Sequence, residues 1–283
     1  MSLISSVISA AERTPLPDQL SRMGIAFLVG RTRRKLAAAS SREEEEFARA
    51  MTEHPIAEHA DAANEQHYEL PPEFFALTLG PRRKYSCCLY PTGEEKLADA
   101  ERLALDETVA HADLADGQSI LELGCGWGSL TLFMAERFPR STITAVSNSS
   151  PQRRYIEAQA AERGLANVRV ITADMNAFMA DGIFDRIVSV EMFEHMSNWK
   201  GLLARIRMWL EPERGRLFIH VFSHKNSPYR FDHKNDADWI AQYFFRTALR
   251  LNGIGAGAGF TIRRRRWTGS RATMKTASGS ITS

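Results

Sequence analysis

The chain has 283 residues, 44% hydrophobic, with 36 basic and 34 acidic side chains and a formal net charge of +2. That length suits one large domain with appendages or two small ones, with a composition ordinary for a globular protein. No apolar run reaches the ~18 residues of a membrane-crossing helix, and the N-terminus lacks the basic flank and apolar core of a secretory signal.

Cys87, Cys88 and Cys125 give neither a disulfide framework nor a metal-ligand spacing, so the expected setting is reducing and cytoplasmic. The charge is unevenly placed. From Ile240 to Ser283 there is no Asp or Glu, while Arg246, Arg250, Arg263, Arg264, Arg265, Arg266, Arg271 and Lys275 supply eight positive charges. The remainder holds 28 basic against 34 acidic residues, an acidic body with a basic tail.

Residues 1–62 read as a polar helical segment broken at Pro15, Pro17 and Pro55. Glu43 to Glu46 is an acidic run suited to a solvated helix face. Ile25 to Val29 is read as an amphipathic face packed on the main domain. The alternative is membrane contact, with Arg31, Arg33, Arg34 and Lys35 beside it. Pro71 and Pro72 end any helix before them. Residues 94–111 read as a helix.

Beyond that point strands and helices alternate. Strands are expected at residues 119–123, 142–147, 168–172, 184–190 and 217–222, and helices at 130–138, 151–163 and 200–210. Pro151 suits a first helical turn. The alternation predicts an α/β fold with a mostly parallel, doubly wound sheet of Rossmann-like type, its ligands beyond the carboxyl ends of the strands.

The most informative stretch is Ile120-Leu-Glu-Leu-Gly-Cys-Gly-Trp-Gly-Ser129. A short strand leads through Gly124, Gly126 and Gly128 into a helix. Glycine serves there because the chain turns sharply and a ligand approaches where a side chain would stand. No Lys or Arg lies between Asp116 and Glu136, which argues against a triphosphate. Glu122 suits a cofactor with a cationic amino group. The spacing G-x-G-x-G resembles motif I of the Rossmann-like methyltransferases, which bind S-adenosylmethionine. A tight turn that binds nothing is the alternative.

Three more strand ends carry polar groups. After the second strand, Ser147, Asn148 and Gln152 are neutral hydrogen-bonding groups suited to ribose hydroxyls, and Ser149 or Ser150 can cap the next helix. After the third, Asp174 can read an adenine amino group and Met175 can lie against the ring. Glu191, Glu194 and His195 follow the fourth strand, and His220 lies near the end of the fifth. Two carboxylates and an imidazole beside a buried strand need pairing or water, and such clusters often mark functional sites.

Taken together, Gln66-His-Tyr-Glu-Leu-Pro-Pro-Glu-Phe-Phe75, Lys84-Tyr-Ser-Cys-Cys88, Leu123-Gly-Cys-Gly-Trp-Gly128, Val190-Glu-Met-Phe-Glu-His195 and Phe218-Ile-His-Val-Phe-Ser-His-Lys225 resemble the cyclopropane fatty acid synthase group of methyltransferases. The double cysteine and Glu191-Met-Phe-Glu-His195 point to its coclaurine N-methyltransferase-like branch. The resemblance spans about residues 64–245. It implies S-adenosylmethionine as methyl donor, capped by Tyr85 and Ser86. Gly124, Gly126 and Gly128 match the family's cofactor loop, Ser147 to Gln152 its ribose side, and Asp174 and Met175 its adenine side. Glu194 and His195 match the residues that handle the acceptor. In the cyclopropane synthases the positions of Glu194, His220 and one cysteine, here Cys87 or Cys88, help hold a bicarbonate ion.

The resemblance implies methyl transfer to a small amine or related acceptor. Its alternative is cyclopropanation of phospholipid acyl chains, which needs peripheral membrane contact. Relatives continue past Phe245 with a lid and the last antiparallel strands, whereas residues 246–283 are Gly- and Arg-rich. They are read as a poorly ordered tail from a shifted frame or truncation, over a divergent basic tail. A cofactor-binding remnant of low activity is therefore a third reading. The basic tail can bind nucleic acid electrostatically, but the acidic body carries no motif for specific recognition.

Overall fold

The computed structural model of the chain describes residues 16–37, 41–58, 70–224, 229–230, 249–252 and 260–263. In chain order the elements are α1 (Asp18–Ala37), α2 (Ser41–Ala50), a 3₁₀ turn (Met51–Glu53), α3 (Pro72–Thr78), α4 (Leu97–His111), β1 (Ser119–Leu123), α5 (Ser129–Arg137), β2 (Thr142–Ser147), α6 (Ser150–Glu162), β3 (Val168–Thr172), β4 (Arg186–Val190), a 3₁₀ turn (Phe193–His195), α7 (Trp199–Trp209), β5 (Arg216–His220), β6 (Ser223–His224), β7 (Tyr229–Arg230), β8 (Leu249–Asn252) and β9 (Phe260–Arg263).

The chain divides into two units. The larger comprises residues 60–193, 200–221 and 257–283. Its sheet runs β3-β2-β1-β4-β5-β9, with the first five strands parallel and β9 antiparallel to β5. Parallel strands covered by helices need apolar side chains on both faces, and Ile120, Leu121 and Leu123 of β1 are fully buried. One buried cluster joins Leu105 and Val109 of α4 and Phe133 and Met134 of α5 to Ile120, Ile143, Val188 and Phe218. A second joins Cys125, Leu132, Ile156 and Ala160 to Ala145 and Val170. The expected α/β fold is therefore present.

The smaller unit comprises residues 1–59, 194–199 and 222–256. It holds α1, α2, a small sheet ordered β6-β8-β7, and an isolated bridge between Ala57 and Met196. Ser197 N donates to Ile56 O at 2.7 Å and Ser197 Oγ to Glu58 Oε2 at 2.5 Å.

Element boundaries depart from expectation for local reasons. The helix expected from residue 94 begins at Leu97. The Glu95 carboxylate accepts from Thr92 N, Thr92 Oγ1 and Gly93 N, making a turn that excludes these residues from the helix. The fourth strand begins at Arg186 rather than 184, since Phe184 bonds Trp209 O and Glu211 N as an isolated bridge. The fifth ends at His220, and Phe222 N turns to Glu194 Oε1.

The inward face expected at Ile25 to Val29 is corrected. Met23, Ile25, Phe27 and Val29 are 60–68% exposed. Residues two apart lie about 200° apart around a helix, so this alternation cannot gather on one face. Of the basic tail, Phe260–Arg263 pairs with β5 and Leu249–Asn252 pairs with β6 and β7. The rest of the expectation about residues 246–283 falls outside the described residues.

A buried carboxylate shapes the approach to the sheet. Glu101 of α4 accepts Arg82 N and Lys84 N, both at 3.0 Å. A Cβ on Gly80 would stand 2.5 Å from its Cδ. Glu101→Ala leaves two backbone donors without their partner. The expected cost is about 2–4 kcal/mol, read as a lower urea midpoint at unchanged denaturant slope. An unchanged midpoint would show that the turn is held some other way.

Candidate cofactor site and the strand-end cluster

The loop Gly124 to Gly128 starts from β1, where Gly124 N and Cys125 N both donate to Val146 O at 2.9 and 3.0 Å. Gly124, Gly126 and Gly128 have φ of +81°, +52° and +77°. They are glycines for different reasons. A Cβ on Gly124 would stand 2.5 Å from Met192 Cγ, and one on Gly128 would stand 2.5 Å from Ile156 Cγ1. A Cβ on Gly126 would meet no protein atom within 4 Å. The protein's own packing thus explains two glycines and leaves open space at the third.

Trp127, between the second and third glycines, is 1% exposed. Its ring lies 4.8 Å from Phe75 of α3 and 5.5 Å from Tyr155 of α6. Phe75 also meets Tyr85 edge-on at 5.8 Å, and Arg83 stacks 4.0 Å over Tyr155. This row fastens residues 83–86 to the glycine loop. Ser86 Oγ accepts from Lys84 Nζ at 2.5 Å.

The predicted cofactor residues surround the same strand ends. Glu122 is buried, and Thr131 Oγ1 donates to its Oε2 at 2.6 Å. Burial pushes its carboxyl up to about 8, against the lowering effect of the Thr131 bond. Ser147 Oγ donates to Gln152 Oε1 at 2.6 Å. Ser149, not Ser150, caps α6 by accepting from Gln152 N. Asn148 is exposed. Asp174 is exposed and its carboxylate accepts Asn176 N at 2.8 Å. Met175 is buried, and Arg205 holds its carbonyl at 3.0 Å.

Gln152 Nε2 and Trp127 Nε1 are among the buried side-chain polar atoms of the described residues that have no hydrogen-bond partner. Such donors are rare in a finished core. With the open Gly126 and the buried Glu122, they form a donor set that fits a nucleoside cofactor carrying an ammonium group.

A second group lies at the ends of β4 and β5. Glu191 N donates to His220 O at 2.8 Å, and Glu191 has a φ of +51°. Its Oε1 accepts Cys87 N at 3.1 Å, and Cys87 Sγ lies 4.0 Å from His220 Nε2. Cys87 keeps an exposed edge, but partial desolvation first, then the Glu191 charge, pushes its thiol up to about 12. Burial lowers the His220 imidazole below its ordinary value.

Glu194 and His195 lie in the smaller unit, on the 3₁₀ turn Phe193–His195. Glu194 is fully buried, and its Oε1 accepts Phe222 N at 2.9 Å.

Sequence reasoning gave no role to Trp127, Phe75, Arg83 or Glu101. Trp127 stood inside the glycine motif, and a large aromatic between two left-handed glycines was the available signal. Glu101 carried none, because its partners lie 17 and 19 positions away.

Comparison with known proteins accords with these features. Residues 57–253 match the family model described as mycolic acid cyclopropane synthetase. The chain is 33% identical over 248 residues to (S)-coclaurine N-methyltransferase of Thalictrum flavum subsp. glaucum, covering 86% of this chain and 68% of that one. It is 38% identical over 178 residues to the (S)-coclaurine N-methyltransferase of Papaver somniferum, covering 63% of this chain and 50% of that one. Cyclopropane-fatty-acyl-phospholipid synthase of Escherichia coli (strain K12) is 32% identical over 182 residues, covering 64% of this chain and 44% of that one. The chain thus spans about half to two thirds of the length of these relatives.

Among solved structures, coclaurine N-methyltransferase bound to N-methylheliamine and SAH superposes with a TM-score of 0.78 at 32% identity, covering 83% of this chain and 69% of that one. The mycobacterial cyclopropane synthase MmaA2, at 22% identity and a TM-score of 0.57 over 71% of this chain and 72% of that one, shares the fold. With the sheet order, the glycine loop and the match over residues 57–253 in agreement, the chain belongs to the mycolic acid cyclopropane synthetase family and has the class I methyltransferase fold.

Proposed function

We propose that the chain is an S-adenosylmethionine-dependent methyltransferase whose acceptor is a small amine. The observation that carries this reading is the 0.78 superposition on coclaurine N-methyltransferase at 32% identity. The open space at Gly126, inside a loop otherwise filled by protein, supports it.

In this reading Gly124, Gly126 and Gly128 cradle the cofactor, and Glu122 meets its ammonium group. Ser147, Asn148 and Gln152 serve the ribose, Asp174 and Met175 the adenine, and Tyr85 and Ser86 close over it. When bound, S-adenosylmethionine supplies a methyl group on a sulfonium, activated for in-line displacement. The chain's task is to orient an amine, exclude water and receive the proton the amine sheds. Glu194 and His195 take that proton, and Glu191, Cys87 and His220 are assigned to the acceptor as well. The division into residues 1–62, 63–245 and 246–283 belongs to the same reading.

Cyclopropanation is the second reading, favoured by the 32% identity to the bacterial synthase. It requires an unsaturated acyl chain and a base such as bicarbonate. Transfer from labelled S-adenosylmethionine, assayed on small amines and on phospholipid vesicles with and without bicarbonate, separates the two. Label in amines, indifferent to bicarbonate, is expected. Label confined to vesicles would replace the amine reading.

Glu122 gives this reading a pH signature. Its carboxyl keeps its proton to about pH 8 in the cofactor-free fold. A cationic ligand prefers the carboxylate, so binding expels the proton. Cofactor affinity should therefore rise between about pH 6.5 and 8.5, by up to about tenfold per unit, and Glu122→Gln should flatten the slope. Stability runs the other way. The unfolded chain loses this proton in the ordinary carboxylate range while the fold retains it, so the cofactor-free fold weakens as pH rises toward 8. Glu122→Gln should remove that loss, seen as a higher Tm at pH 8. A variant that keeps wild-type affinity and slope would take Glu122 out of the cofactor site.

A further inference from the structure

We propose that Cys87, Glu191 and His220 form a binding site for a thiophilic divalent cation, with zinc as the fitting ion. Their ligand atoms, one thiol sulfur, one carboxylate oxygen and one imidazole nitrogen, all lie within 4.8 Å of one another. They come from three separate segments. His220 and Val190 are register partners on adjacent parallel strands, and Glu191 follows directly. Cys87 stands 104 positions before Glu191 and 133 before His220. No linear metal motif is present, which is why cysteine spacing in the sequence shows nothing.

The three segments are tied before any ion arrives. The backbone bond from Glu191 to the His220 carbonyl fixes two of them, and Cys87 N on the Glu191 carboxylate fixes the third. Zinc bonds of about 2.0–2.3 Å set tetrahedral ligands roughly 3.3–3.8 Å apart. The Cys87 Sγ to His220 Nε2 distance is 4.0 Å. Contraction by about an ångström, within reach of side-chain rotation, therefore completes a three-ligand set with a fourth position open.

The donor types choose the ion. A thiolate, an imidazole and a carboxylate suit zinc or cobalt(II), whereas magnesium and calcium take oxygen ligands. On binding, the Cys87 S–H bond breaks, its proton passes to solvent, and the sulfur lone pair forms the bond to zinc. No oxidation occurs. Cys87 is exposed and Glu191 and His220 are partly exposed, so an ion can enter from solvent.

Glu191, Cys87 and His220 are also assigned to the acceptor in the methyltransferase reading. On that reading zinc blocks the acceptor and acts as a reversible inhibitor, a consequence that rests on the assigned function. Ion binding itself does not depend on it.

The test uses the full chain freed of metal by chelation. Cobalt(II) should bind with one equivalent and give a thiolate-to-cobalt charge-transfer band, and zinc should displace it. C87S should abolish the band, and E191Q and H220N should each weaken binding by at least tenfold, since losing even a group that only orients a metal ligand costs about 10–100-fold. C88S should retain the band. In unmutated protein, zinc should slow iodoacetamide labelling of Cys87 at least tenfold, read by peptide mass spectrometry. A wild-type protein without the band, a band that survives C87S, or labelling of Cys87 indifferent to zinc overturns the proposal. Methyl transfer is scored separately. Zinc binding at Cys87 in a protein that methylates nothing supports the metal site and refutes the methyltransferase reading.

Discussion

Gly126→Val should lower affinity for S-adenosylmethionine by roughly ten- to a hundredfold, since overpacking a space the ligand fills costs about 1–3 kcal/mol. The valine methyls would occupy the room that protein atoms leave empty around Gly126. The φ of +52° adds a strain of about 1–2 kcal/mol for any L-residue, so the fold weakens modestly as well. Gly126→Ala helps separate the two effects, because it carries much of the backbone strain, less than β-branched valine, while filling only one carbon's worth of space.

The neighbouring glycines supply the contrast. Gly124→Ala and Gly128→Ala drive a methyl to 2.5 Å from Met192 Cγ and Ile156 Cγ1. They should depress Tm further than Gly126→Val does, with cofactor loss following from a damaged fold. Calorimetry and thermal melts on the four variants decide the matter. A Gly126→Val protein that binds the cofactor as tightly as wild type would mean the ligand does not occupy this loop.

How much of this was readable beforehand depended on how local the cause is. The glycine loop carries its geometry in its own residues, and three alternate glycines between a strand and a helix were enough to place it. The strands at residues 119–123, 142–147 and 168–172 were legible to the residue, because each is a short stretch rich in β-branched and apolar residues set between helical segments, although Glu122, Thr144 and Arg169 interrupt it. Boundaries slipped where a side chain intervened from nearby, as Glu95 does before α4. What stayed hidden was non-local. Glu101 holds a turn 17 to 19 positions away, the aromatic row draws on α3, α6 and the glycine loop together, and Cys87 meets His220 across 133 positions. Phe260–Arg263 was read as part of a poorly ordered tail, because nothing local names β5 as its antiparallel partner.

Glu194→Gln should lower kcat for amine methylation by about 10²–10⁴, the usual contribution of a positioned proton acceptor. The amide is a suitable replacement because Glu194 Oε1 already accepts Phe222 N at 2.9 Å. A glutamine carbonyl keeps that bond, so the buried position stays filled and the turn Phe193–His195 keeps its anchor. What the variant loses is the ability to take a proton. His195→Asn similarly retains a hydrogen-bonding side chain and removes a base. If both residues serve the acceptor, each variant should bind S-adenosylmethionine within several-fold of wild type while turnover collapses. If only one receives the proton, its partner should instead raise KM with a smaller change in kcat, since lost orientation weakens acceptor binding before it slows proton transfer. Circular dichroism and melts confirm that the compared proteins are folded. Loss of cofactor affinity in both folded variants would move Glu194 and His195 to the cofactor and leave Glu191, Cys87 and His220 as the groups facing the amine.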